Sequence, residues 1–206
     1  MASTDTHIAS LPALAGLSAF TRPLTIADLD SCVTVESAFP EQERCSREKF
    51  IYRLTKCPKL SLGLFIQPNP SSIPQLIAHV IAIRTTAPCI TDGSMRMPPT
   101  TSWPAMAPHE VAIDPNTKEP IGHEPAGSNL AVHSLAVVPE YQGGGVGRAL
   151  MSEYIQWVRS EDIADAERVV LIAHEYLVPF YERMGFRCLG ASPSQFAGGG
   201  WFDMVC

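Results

Sequence analysis

The feature that most constrains this chain is the run Gln142-Gly143-Gly144-Gly145-Val146-Gly147. An apolar stretch ending at Val138 precedes it, and a helical stripe of Val146, Leu150, Tyr154, Trp157 and Val158 follows. Glycines between a strand and a helix let the backbone approach a ligand closely, and the first N–H groups of the helix are unpaired and point outward. The helix dipole adds positive potential there, so the turn suits a pyrophosphate, with Arg148 as one further charge. A glycine-rich connector without a ligand is the alternative. The spacing is not that of a dinucleotide-binding turn, since Gly143, Gly145 and Arg148 give G-x-G-x-x-R. An acidic ribose partner would fall near residues 160–165, where no strand end is expected. No Gly-Lys-Ser/Thr follows, which excludes a Walker turn.

A chain of 206 residues, 46% apolar and 17% charged, suits one domain with a sizeable core. No apolar run approaches the ~18 residues needed to cross a bilayer. The N-terminus has no basic region before Arg22, so neither a secretory signal nor a transit peptide is expected, and residues 1–17 read as a flexible tail. A net charge of −6 argues against a nucleic-acid partner and mildly favours a cationic one. The six cysteines show no C-x-x-C pair and no zinc-ligand spacing, so they read as reduced thiols of a cytoplasmic protein, with no metal.

Phe20–Leu24 reads as a strand. Thr25 opens a helix with Asp28 completing a capping box and a stripe of Ile26, Leu29, Val33 and Phe39. Ser46 caps a second helix carrying Phe50, Ile51 and Leu54, which stops before Pro58. Residues 60–66 and 75–83 read as a hairpin, the second strand buried on both faces. Residues 86–128 form a proline-rich insertion without sustained period, part of which is expected to cover a pocket. Strands are expected at 130–138, 168–173, 186–189 and 201–205. Helices are expected at 145–160 and 177–184, the latter stopped by Gly185.

Leu135-Ala-Val-Val-Pro-Glu-Tyr-Gln-Gly-Gly-Gly-Val-Gly-Arg-Ala-Leu150 resembles the acetyl-CoA signature Q/R-x-x-G-x-G/A of the GCN5-related N-acetyltransferase (GNAT) superfamily. Leu177-Val-Pro-Phe-Tyr-Glu-Arg-Met-Gly-Phe186 resembles its second signature, a Tyr before x-x-x-G-F. Cys57–Phe65, His133–Val137 and Leu177–Tyr181 are similar to arylalkylamine (serotonin) N-acetyltransferases, most of all fungal members. The similarity runs from about Phe20 to the C-terminus and breaks at 86–128. It implies a single α/β domain of GNAT type, a mixed, mostly antiparallel sheet flanked by helices. It also implies acetyl-CoA as cosubstrate and a small-molecule amine as partner; a monomer is expected, though nothing in the sequence fixes the oligomeric state.

Attack on a thioester needs a free amine, whereas an alkylammonium titrates near ~10. The resemblance makes His133 the base and Tyr181 the acid that protonates the leaving thiolate. Leu135, Ala136 and Val137 would pair with the pantetheine arm as an exposed strand edge does. Gln142, Gly143, Gly144, Gly145, Val146, Gly147 and Arg148 would hold the phosphates, and His174 is assigned to the cofactor side, with help to the proton relay or plain surface exposure as its alternatives. Phe39 and Pro40 would line the amine pocket; Leu62 and Phe65 suit the core better. The animal enzymes carry a second histidine where this chain has Ala131, so their paired-histidine relay does not carry over. Acetylation of polyamines or peptide amines, or acetyl-CoA binding without turnover, are the alternative functions. No cysteine lies in either motif, so direct attack is expected rather than an acetyl-cysteine.

Overall fold

The computed structural model describes residues 8, 10–159, 163 and 165–206. In chain order its principal elements are β1 (Ser18–Pro23), α1 (Leu29–Glu36), α2 (Arg47–Lys56), β2 (Leu62–Gln67), β3 (Gln75–Thr85) and α3 (Asp92–Met95). Then come β4 (Ala112–Ile113), β5 (Pro120–Ile121), β6 (Asn129–Val137), α4 (Val146–Val158), β7 (Arg168–His174), α5 (Val178–Glu182), β8 (Arg187–Ala191) and β9 (Trp201–Val205). Seven strands form one sheet in the order β1-β2-β3-β6-β7-β9-β8, and β4 and β5 form a separate short ladder. Every neighbouring pair in the large sheet is antiparallel except β6 and β7, which are parallel and joined through α4. The fold is the expected mixed α/β domain with helices on both faces.

The parallel pair creates the opening on which the site depends. β6 and β7 pair only from Asn129↔Arg168 to Ala131↔Val170. Past that point β6 continues to Val137, still paired with β3 on its other edge, while β7 continues to His174 paired with β9. The strands therefore separate, and the edge of β6 facing β7 has no partner strand beyond Ala131.

One face of the sheet is covered by α4, which buries Val146, Leu150, Tyr154 and Val158 as the stripe predicts; Trp157 is only half-buried. The Tyr154 hydroxyl donates to the Leu60 carbonyl at 3.1 Å. Leu150 is fully buried, and cutting it to alanine would cost about 2–5 kcal/mol. The other face is covered by α1 and α2, whose Cys32, Val35, Phe50 and Leu54 pack on Phe65, Leu76, Ile81 and Ala136. β3 lies between the layers and is buried along nearly its whole length.

The capping box forms, with the Asp28 carboxylate accepting from the Thr25 N–H and hydroxyl and from both Arg22 Nη atoms. Burial alone would raise Asp28, but these donors and the Arg22 charge hold its carboxyl below the usual range. Of the expected apolar stripe, Leu29, Val33 and Phe39 are half-buried against this core, whereas Ile26 is 49% exposed and the fully buried positions of α1 are Cys32, Val35 and Glu36. Glu36 was no part of the expected stripe. It is buried because His79, Ser134 and a backbone N–H satisfy its carboxylate. Ser46 caps α2 as expected, but Tyr52 and Arg53 are buried where Ile51 was expected.

The insertion is more ordered than its sequence suggests. Thr91 caps α3, and Ile90, Met95, Trp103 and Ile121 are buried. Tyr52 and Trp103 pack edge to face at 5.5 Å, and the Tyr52 hydroxyl accepts the His123 N–H at 2.9 Å. Glu124 accepts from the Thr85 hydroxyl and from the Thr86 N–H and hydroxyl at 2.6–3.1 Å. Of the expected tail, residues 1–7 and 9 lie outside the described residues. Leu14 is fully buried, and Ala13 sits over Gly144.

Candidate active site

The glycine turn is held open by its own side chains and dihedrals. Gln142 Nε2 donates to the Val137 carbonyl at 2.9 Å, tying the turn to the end of β6. Gly143 and Gly145 have φ of 75° and 83°, where an L side chain is strained. Gly145 is the N-cap of α4, so the free N–H groups of the helix begin at the turn. A cavity of about 710 Å³ adjoins it, lined by Leu135, Val137, Gln142 to Arg148, Leu177, Phe180, Tyr181 and Arg183, with Leu11 and Pro12 from the N-terminal segment.

A second cavity, of about 390 Å³, opens between the separated strands. Phe39, Pro40 and Glu43 form one wall, Met95 and His133 to Leu135 another, and His174, Tyr176, Phe196 and Trp201 a third. The two cavities share Leu135, Gln142, Leu177 and Tyr181. A ligand bound along the glycine turn would therefore meet a ligand in the aromatic cavity beside Tyr181.

His133 Nδ1 lies 3.0 Å from Met95 Sδ, and its Nε2 is buried without a partner. A thioether accepts but cannot donate, so this contact is a hydrogen bond only when Nδ1 carries the proton, which leaves the lone pair on Nε2. Burial first, and then the charges of Arg53 and Lys49, push this imidazole well below 6.5, so it is neutral at physiological pH. Tyr181 is 8% exposed, and burial pushes its hydroxyl up, so it keeps its proton.

A buried polar cluster adjoins the second cavity through Ser134. His79 Nε2 is 2.9 Å from Glu36 Oε2 and 3.1 Å from Ser134 Oγ, and Ser134 Oγ donates to the same carboxylate oxygen at 2.6 Å. Cys45 N–H donates to Glu36 Oε1 at 2.8 Å. Burial alone would raise Glu36, but the hydrogen bond and charge of His79 outweigh it, with Ser134 and Cys45 adding, and hold the carboxyl below its usual range. His79 is a core residue, as its apolar strand implies.

The structure brings most of the expected residues to the two cavities and redistributes some. Gln142 to Arg148 with Leu135 and Val137 line the first; Phe39, Pro40 and His133 line the second. Ala136 faces the other side of β6 and packs with α1 and α2. His174, expected on the cofactor side, lines the second cavity, its Nε2 3.3 Å from both carboxylate oxygens of Glu43. Leu62 and Phe65 are core. Sequence reasoning missed Glu43, Met95, Tyr176, Phe196 and Trp201. Only the tertiary fold unites them, from five separate segments, and no motif spans them. Neither cavity is lined by a cysteine, and burial pushes the Cys32, Cys45 and Cys57 thiols up to about 12, 11 and 12. No group of three or more His, Cys, Asp or Glu among the described residues is placed to hold a metal ion.

The sheet parts at its parallel pair, and a glycine turn opens a helix at the break. The family model for the acetyltransferase (GNAT) domain matches residues 111–206. Serotonin N-acetyltransferase of Mesocricetus auratus is 28% identical over 137 residues, 66% of this chain and 50% of that protein. The Macaca mulatta enzyme of that name is 27% identical over 173 residues, 77% of this chain and 68% of that protein. The aligned stretch thus spans half the length of the hamster relative. Arabidopsis thaliana NAA60, solved in complex with acetyl-CoA, superposes with a TM-score of 0.59 at 19% identity over 91% of this chain and 98% of that one. The fold thus extends across the chain well before residue 111. No helix among the described residues is long and apolar enough to cross a membrane.

Proposed function

We propose that the protein is an acetyl-CoA-dependent N-acetyltransferase that acetylates the primary amine of a small arylalkylamine by direct attack on the thioester. The observation that carries this reading is the meeting of the two cavities at Tyr181 and Leu135. The first cavity fits the cofactor: a Cβ on Gly147 would come within 3.4 Å of Val137, and left-handed glycines at 143 and 145 turn the backbone toward the cavity. Gln142 to Arg148 would hold its phosphates on the α4 N-terminus, and the free edge of β6 at Leu135 and Val137 would pair with its amide arm. Bound acetyl-CoA would supply an activated acetyl thioester.

The chain's own groups then divide the proton handling. His133, neutral with Nε2 unpartnered, takes a proton from the nitrogen as it attacks. Tyr181 holds its proton at the junction of the cavities and gives it to the departing thiolate. Phe39, Phe196 and Trp201 suit an aryl group, and the likeness to serotonin N-acetyltransferases supports that choice. The absence of cysteine from both linings favours direct transfer over an acetyl-cysteine. His133→Ala and Tyr181→Phe are each expected to lower kcat with tryptamine by about 100-fold or more. Unchanged rates in both would defeat these roles. A strong preference for spermine over tryptamine would move the substrate to the polyamines.

A further inference from the structure

Turning an ammonium into an amide releases two protons from nitrogen, one before attack and one as the new bond forms. His133 suits the second. Burial, with the charges of Arg53 and Lys49 adding to it, disfavours a cation on its ring. Glu43 differs. Among the described residues lining the aromatic cavity it is the one carboxylate, and none is a lysine or arginine. Its side chain is only 14% exposed, and both its oxygens lie 3.3 Å from His174 Nε2. The His174 ring is clamped between Trp201, at 4.1 Å between centroids, and Tyr176, at 5.5 Å and 11°. The clamp fixes the ring plane.

We propose that Glu43 and His174 form a dyad that binds the substrate's ammonium and removes its first proton. This rests on the transferase reading above. The ammonium docks on the Glu43 carboxylate. With Nε2–H donated to Glu43, the lone pair of His174 lies on Nδ1. The N–H bond of the ammonium breaks, the proton goes to His174, and its electron pair stays on the nitrogen as the free amine. Glu43 balances the imidazolium, and the ring, 30% exposed, returns its proton to water. The dyad supplies a second proton acceptor in place of the histidine that this chain lacks at position 131. It selects amines that arrive protonated and carry an apolar or aromatic body, and it disfavours anionic ones.

Two substrates of similar shape that differ in charge test the dyad. At pH ~8.5 phenethylamine is mostly protonated, whereas its β,β-difluoro analogue, whose fluorines lower the basicity of the nitrogen, is mostly the free amine. Glu43→Gln and His174→Gln are each expected to lower kcat/KM for phenethylamine by about 100-fold and for the difluoro analogue by less than about tenfold. Glu43→Asp should restore part of the phenethylamine rate. Equal losses on both amines would reduce the dyad to a packing role, and an aspartate variant as slow as the glutamine one would do the same; either overturns the proposal while leaving the transferase reading intact. Absence of transfer to both amines by the wild-type protein would overturn both.

Discussion

Replacing His123 with asparagine removes a titration from the fold while keeping its hydrogen bond. In the native protein His123 Nδ1 accepts the Arg84 backbone N–H at 3.1 Å, which a doubly protonated ring cannot do. Burial first, then the Arg84 charge, push this imidazole from 6.5 down to about 4, with Glu124 opposing. The folded pKa lies below the unfolded one, so the neutral ring's contribution is complete above pH ~6.5 and is lost as pH falls toward ~4. A depression of that size amounts to about 3 kcal/mol in all, of which about 2 kcal/mol is lost between roughly pH 7 and pH 5. The asparagine oxygen can accept the same N–H and does not titrate. Urea denaturation of both proteins at the two pH values reads the effect, because losses from other groups are common to both and cancel. Wild type is expected to lose about 2 kcal/mol more than His123→Asn. Parallel losses would refute the account of how the insertion is anchored to β3.

Glu36→Ala leaves His79 Nε2 without its carboxylate and the buried Cys45 N–H without an acceptor, so a loss of about 3–5 kcal/mol is expected in the same denaturation assay. Gly145→Ala meets no neighbour closer than Leu11 at 3.6 Å, so its cost is conformational. Forcing alanine to a φ near 83° should cost about 1–2 kcal/mol and raise the KM for acetyl-CoA, both measurable on one purified variant.

The glycine turn and the α4 stripe were legible because each is local: a period of 3.6 and a run of residues that need positive φ. The sheet strands were legible for the same reason, Trp201–Val205 to the residue. The separation of β6 from β7 was not, since strand pairing is a tertiary choice and neither strand's composition changes where pairing stops. Glu36 was missed on the buried face of α1 because it is polar by type and buried by circumstance; its partners lie 43 and 98 positions away. The insertion held no periodic signal because single hydrogen bonds, from the His123 N–H to Tyr52 and from Thr85 to Glu124, fix it in place of long elements. Glu43 escaped notice for a similar reason, since the imidazole that makes it informative is 131 positions further on. His133 and Tyr181 were found through signatures, and the structure added what signatures lack: a neutral ring with one unpartnered nitrogen, and a hydroxyl at the meeting of two cavities.

The most direct measurement is a stoichiometric one on the purified wild-type protein with acetyl-CoA and tryptamine. N-acetyltryptamine, quantified by mass spectrometry, should appear mole for mole with free thiol, with no acetyl group on any cysteine at early times, and Tyr181→Phe should slow both products together. Thiol release without the amide, or an acetylated cysteine formed and consumed at the rate of turnover, would contradict direct transfer across the junction at Tyr181.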